Sequence, residues 1–229
     1  MKRLWKGEKM SKNQLALEAM KEGKWEEAAK YFAEALEENP NDPVLYVNFG
    51  NLLASTGDAE RALTFYQKAI ALDKQTATAY YGMGAVYYHL NDFQQAKDFF
   101  QQAIQLGLND GDAYFMLGMS LYQLDESRLA LPYLQRAVEL NDKDAAAFFQ
   151  YGLCLAQTGL VQEAKVQLRK AIELDPDHAD AYYNLGVAYA YEDEAEKALT
   201  MFQKALSIQP DHLLAGNAKK LVEEALAKQ

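Results

Sequence analysis

The sequence has one cysteine in 229 residues, Cys154. That excludes an intramolecular disulfide and suits a reducing compartment. It has no apolar run near the roughly 18 to 20 residues that a membrane-spanning helix needs. Its opening, MKRLWKGEKM, carries basic side chains but lacks the apolar core of a signal peptide. It has no basic excess either: 23 Lys and Arg stand against 33 Asp and Glu, a net charge of −10. Such a charge argues against a nucleic-acid binder that works by neutralising phosphates. The one basic cluster, Lys2, Arg3 and Lys6, is too short for a nucleic-acid arm. A cytoplasmic protein that touches neither nucleic acid nor membrane is the expectation.

What the chain does have is a period. Gly50, Gly84, Gly118, Gly152 and Gly186 follow one another at steps of 34 residues, and one step earlier stands Ala16. Twelve residues past each lies an alanine: Ala28, Ala62, Ala96, Ala130, Ala164 and Ala198. Seven further on lies another, from Ala35 and Ala69 to Ala205, and between the two alanines falls Phe32, Tyr66, Phe100, Leu134, Leu168 or Phe202. A period of this length marks a stack of supersecondary units. The units run 9–42, 43–76, 77–110, 111–144, 145–178 and 179–212, after an N-terminal extension, 1–8, and before a tail, 213–229.

Each unit reads as helix A, a tight turn, helix B and a short turn. The turn after helix A holds Gly23, Gly57, Asn91, Asp125, Gly159 or Asp193, residue types that tolerate the left-handed conformation ending a helix. Asp42, Thr76, Asp110 and Asp144 stand where the next helix needs an N-cap, and Pro43 occupies a first helical position. In the last two units that place goes to His178 and His212, with Asp177 and Asp211 expected to cap instead. Pro132 inside the fourth helix B predicts a slight kink or a displaced first turn. The glycines and alanines supply the small side chains that closely packed helices require. One helix pair cannot bury its apolar face alone, so neighbours must stack. In the tail, Leu214, Ala218, Leu221, Val222, Ala225 and Leu226 form one stripe, as in an amphipathic capping helix.

These residues are the pattern of the tetratricopeptide repeat, which the chain resembles from residue 9 to 212. The sixth unit, AYYNLGVAYAYEDEAEKALTMFQKALSIQP, meets it well; the first departs furthest, with Lys12 and Ala16 at the aromatic and glycine sites. The resemblance implies an all-α, right-handed superhelix, an α-solenoid of six helix-turn-helix repeats with a C-terminal capping helix. LALPYLQRAVELN, HADAYYNLGVAYAY and IQPDHLLAGNAKKL look like the six-repeat YrrB-type group of Gram-positive bacilli. That likeness implies a bacterial cytoplasmic adaptor. Its gene neighbourhood offers tRNA-thiolation enzymes as candidate partners, which no residue here marks.

Residues 79–90, AYYGMGAVYYHL, pose the question of site. Seven residues turn a helix through about 700°, nearly two full circles. Tyr80 and Tyr87 therefore share one stripe, expected in the core, and Tyr81 and Tyr88 share another about 100° away. The resemblance places the second stripe on the concave face that holds ligand. Followed along the chain, that face gives Asn48 and Asn51, then Tyr81, Tyr88 and His89, then Phe115, Met119 and Tyr122, then Phe149, and finally Tyr183, Asn184 and Tyr191. It is aromatic, methionine-rich and nearly uncharged. Large apolar strips are rarely left idle on monomers. Asn48 and Asn184 match the asparagine that binds peptide backbone in the family. The basic side chains of a chaperone carboxylate clamp are missing; Lys21 stands alone.

No catalytic constellation emerges. His89 has no second ligand at metal spacing, His178 and His212 are equivalent turn positions, and Cys154 is expected to pack inertly between helices. Gly82 and Gly84 lie inside a helix, not in a phosphate-binding loop. The expectation is a non-enzymatic module without metal or cofactor, a monomer holding a segment of another protein in its groove. The alternative is a self-associating scaffold whose groove takes its own chain or a neighbouring copy.

Overall fold

The computed structural model describes residues 10–227, so the extension at 1–8 lies outside the described residues. Thirteen α-helices and no strand occur among them. The chain divides between Asn109 and Asp110 into two compact units.

The first unit contains α1 (Lys12–Lys21), α2 (Trp25–Glu38), α3 (Pro43–Ser55), α4 (Ala59–Leu72), α5 (Ala77–His89) and α6 (Phe93–Gln105). Side chains begin most of these helices by accepting orphan backbone N–H groups. Ser11 forms a capping box with Gln14, Asp42 accepts from Val44 N just before Pro43, and Asp58 and Asp92 cap α4 and α6. Thr76 makes no such bond. After α1, α3 and α5 the chain turns through Gly23, Gly57 and Asn91, all at φ between 60° and 84°. The core follows from the small-residue register: Ala28, Phe32, Ala62, Tyr66, Ala69, Ala96, Phe100 and Ala103 are at most 1% exposed. A Cβ on Gly50 would meet the Tyr66 ring at 2.7 Å, and one on Gly84 would meet Phe100 at 2.8 Å.

The second unit contains α7 (Gly111–Gln123), α8 (Ser127–Leu140), α9 (Ala145–Gln157), α10 (Val161–Leu174), α11 (Ala179–Tyr191), α12 (Ala195–Ile208) and α13 (Leu213–Leu226). The same register recurs, with Gly118 against Leu134, Gly152 against Leu168 and Gly186 against Phe202. Asp125 and Asp193 adopt φ of 61° in their turns. α8 runs uninterrupted through Pro132. Two expectations need correction. His178 and His212 are themselves the caps, their Nδ1 atoms accepting from Ala181 N and Ala215 N; an imidazole nitrogen reaches the orphan N–H as well as a carboxylate would. The tail stripe also splits: Ala215 is buried and Ala218 and Val222 pack on the Leu185–Phe202 cluster, but Leu214 and Leu221 are 59% and 67% exposed.

One buried charge ties α10 to the turn after α11. Lys165, 5% exposed, pairs with Glu192 and Glu194 and sits 5.2 Å from the centre of the Tyr189 ring. Pairing offsets the cost of taking its ammonium out of water.

Within each unit the odd-numbered helices touch one another, α1–α3–α5 in the first and α7–α9–α11–α13 in the second. The even-numbered helices make no such contacts among the described residues. Each unit is therefore closely spaced along its layer of A helices and splayed along its B layer, so the A layer lines its inner face.

Candidate functional site

In the first unit, three predicted residues frame one cavity. α3 and α5 lie side by side with α4 behind them, leaving a hollow of about 680 Å³ whose lining includes Asn51, Ser55, Tyr66, Thr78, Tyr81, Gly82, Ala85 and His89. Its size is within the range of ligand pockets, and no Asp, Glu, Lys or Arg lines it. The back wall is Tyr66, 1% exposed, whose hydroxyl donates to Asn51 Oδ1 at 2.7 Å. Burial raises the Tyr66 phenol well above the usual range, so it stays a neutral donor. Tyr81 is half-buried and tilts against Phe100, ring centres 5.5 Å apart, while His89 is exposed at the end of α5.

Two other predicted residues of this unit lie outside that hollow. Tyr88 is half-buried and sets its ring edge-on to Phe93 at 5.2 Å. Asn48 is committed within the protein, its Nδ2 donating to Asn13 Oδ1 at 3.0 Å. That bond joins α1 to α3. The core assignment of Tyr80 and Tyr87 also needs correction, since both are only half-buried. Tyr87 stacks on Phe99 at 5.4 Å with planes 7° apart. Ala79, Met83 and Val86 supply the fully buried side of α5 instead.

In the second unit, Phe115, Tyr122, Phe149, Tyr183 and Asn184 are half-buried on the A layer, and Tyr191 is 77% exposed. Phe149 leans on His178 with ring centres 4.4 Å apart, and Tyr183 on His212 at 5.2 Å. The capping histidines thus support the aromatic face as well. Burial raises the Tyr122 phenol. Asn184 donates to the Asp180 carbonyl of its own helix. Met119 is the exception to the expected surface: at 8% exposed it is buried and offers a ligand little area. The periodicity missed Tyr66 and Thr78 as pocket residues. The available signal was Gly82, which stands where the other units carry Gln14, Asn48, Met116, Gln150 and Asn184.

Chemistry at the remaining candidates is muted. Cys154 is fully buried, its Sγ donating to the Ser127 carbonyl at 3.2 Å, and burial pushes its thiol up to about 11. A thiol so held is a poor nucleophile. Among the described residues no group of three or more His, Cys, Asp or Glu could hold a metal ion, and no helix is long and apolar enough to cross a membrane.

Known proteins match this architecture along nearly its whole length. Tetratricopeptide repeat models match residues 42–109 and 76–143, and another matches 11–42. The middle TPR-like domain of cilia and flagella-associated protein 70 matches 123–227. The TPR repeat-containing protein YrrB of Bacillus subtilis (strain 168) is 53% identical over 41 residues, a stretch spanning 18% of this chain and 20% of that protein. The crystal structure of YrrB, "a TPR protein with an unusual peptide-binding site", superposes with a TM-score of 0.80 at 53% identity, covering 84% of this chain and 99% of that one. A MamA crystal structure superposes with a TM-score of 0.69 at 26% identity, over 75% and 93% of the two chains. Pseudomonas aeruginosa pilF reaches a TM-score of 0.77 at 17% identity over 95% and 96%, a likeness of fold alone. With the glycine–alanine register, the left-handed turns and the paired A and B helices, these matches show that the chain belongs to the tetratricopeptide repeat family, whose members are generally protein-interaction modules.

Proposed function

We propose that the chain is a non-catalytic adaptor of the bacterial cytoplasm that holds a segment of another protein against its A helices. The observation that carries this reading is the uncharged hollow of about 680 Å³ between α3 and α5. Aromatic side chains there and on α7, α9 and α11 offer contact area at low cost in conformational entropy. The peptide-binding site named for YrrB supports peptide binding as the function here. Asn51, Tyr81, Tyr88 and His89 in the first unit, with Phe115, Tyr122, Phe149, Tyr183, Asn184 and Tyr191 in the second, are the contact residues proposed. Asn48 would have to exchange its bond to Asn13 to join them. Met119 supports the face from beneath. The working form is a monomer. Photo-crosslinking from A-layer and B-layer positions in native cytosol tests the reading, with partner adducts expected from the A layer only.

A further inference from the structure

The hollow between α3 and α5 has a shape and a charge environment that narrow what it can hold, and this inference rests on the adaptor reading above. Its back wall exists because two glycines face one ring. A Cβ on Gly50 would lie 2.7 Å from Tyr66 Cε1, and one on Gly82 would lie 2.4 Å from Tyr66 Cζ. Tyr66 is thereby held between neighbouring repeats, and its hydroxyl is pinned to Asn51. The lack of a side chain at 82 lets the ring sit flush against α5, and the hollow opens beside it, walled by Ala85 and Val86. Such a space suits a bulky apolar side chain, for which a rigid aromatic wall is a good seat. At its rim Asn51 has its oxygen engaged by Tyr66, leaving the amide Nδ2 to donate to a peptide carbonyl.

The electrostatics point the same way along the chain of the ligand. The last turns of α3 and α5, Asn51–Ser55 and Ala85–His89, both border the hollow. Helix C-termini carry partial negative charge and favour nearby cations. Residues 10–109 hold eight Lys and Arg against thirteen Asp and Glu, so the surrounding field is acidic, while the walls themselves are uncharged. We propose that this hollow is the anchor socket of the adaptor, taking one bulky apolar side chain, aromatic or aliphatic, from a partner segment that carries Lys or Arg on either side of it. The anchor supplies the buried area, and the flanking cations supply attraction to the acidic unit.

The test uses the full chain and short synthetic probes. Acetylated, amidated peptides GKSXSKG, with X as Trp, Leu, Ala or Glu, are titrated against it by NMR, together with an acidic host, GESWSEG. Probes with Trp or Leu should bind about tenfold or more tighter than those with Ala or Glu. The basic host should bind tighter than the acidic one, and that gap should close as salt is raised. Ala85→Phe fills the socket from its wall and should remove the preference for Trp and Leu. Val187→Phe, at the equivalent place on α11, should leave it unchanged; circular dichroism of both variants should match the parent. If Val187→Phe abolishes binding and Ala85→Phe does not, the socket is refuted while A-layer binding stands. If no probe binds at millimolar concentration, or the acidic host binds best, the proposal fails. A dimer in light scattering that Ala85→Phe dissolves would put a second copy in the socket and overturn it equally.

Discussion

Gly82→Ala and Gly216→Ala add the same methyl group to two helices, and the structure assigns them opposite signs. Inside a helix the change is intrinsically favourable by about 1 kcal/mol. At Gly216 the new Cβ would find only Leu206 Cδ2, at 4.0 Å, so the gain should appear nearly whole, as about 0.5–1 kcal/mol of added stability. At Gly82 it would lie 2.4 Å from Tyr66 Cζ and 2.5 Å from Cε1. Gly50 already abuts the same Cε1–Cζ edge, and swinging the ring towards the hollow would give up its hydroxyl's 2.7 Å bond to Asn51. Overpacking of a tight core costs about 1–3 kcal/mol. Taking the upper end and subtracting the helix gain leaves a net loss of about 2 kcal/mol. For a chain of this length that lowers the melting temperature by about 4–8 °C. Repeat arrays open in parts, so amide hydrogen exchange on α4 and α5 should accompany thermal and urea melts. A third variant isolates the cause. In a Tyr66→Leu background, with the side chain that Leu134 and Leu168 use in later repeats, Gly82→Ala should cost at least about 1 kcal/mol less. Equal effects at the two glycines, or a Gly82 cost indifferent to Tyr66, would refute the close approach.

Two further outcomes follow from the second unit. Cys154, with its thiol raised to about 11 by burial, should resist iodoacetamide at pH 8 in the folded chain and react once the chain is unfolded. Because its folded pKa lies above the unfolded value, whatever stability it contributes is intact at neutral pH and is lost as pH rises towards 11; rapid labelling of the native protein would contradict this. Deleting residues 213–229 uncovers the face that Ala218 and Val222 pack against, including Phe202 and Leu185. The truncated chain should lose hydrogen-exchange protection in α11 and α12 first, and unchanged protection there would show that α13 carries no load.

The repeat was legible because its signals are local and recur: Gly118 needs to be small for the same reason as Gly186, and Asp125 and Asp193 turn the chain in the same way. The A-layer face was legible as a stripe for the same reason. What the period could not give is how far each ring sinks, since that depends on what a neighbouring helix presents. Tyr87 stays half-buried because Phe99 stacks beside it without covering it, whereas Tyr189, at the same place three units later, is 9% exposed beneath Lys165, Arg169 and Lys197. Met119 went the other way, sinking to 8%. Histidine capping at 178 and 212 escaped because aspartates stood one residue earlier and looked better suited. The socket itself depended on reading a departure, Gly82, as meaningful among positions that otherwise vary freely.

Binding of a partner segment on the A helices can be measured in place. Its most direct measurement is site-specific photo-crosslinking with p-benzoylphenylalanine at Tyr88 and at Tyr183 on the A layer, and at Gln101 and Gln135, exposed on α6 and α8. Each variant is irradiated in native cytosol and its adducts are identified by mass spectrometry. One shared partner protein should be captured from Tyr88 and Tyr183 and be absent from Gln101 and Gln135. The same partner captured from the B-layer positions, with none from Tyr88 or Tyr183, would contradict binding on the A helices.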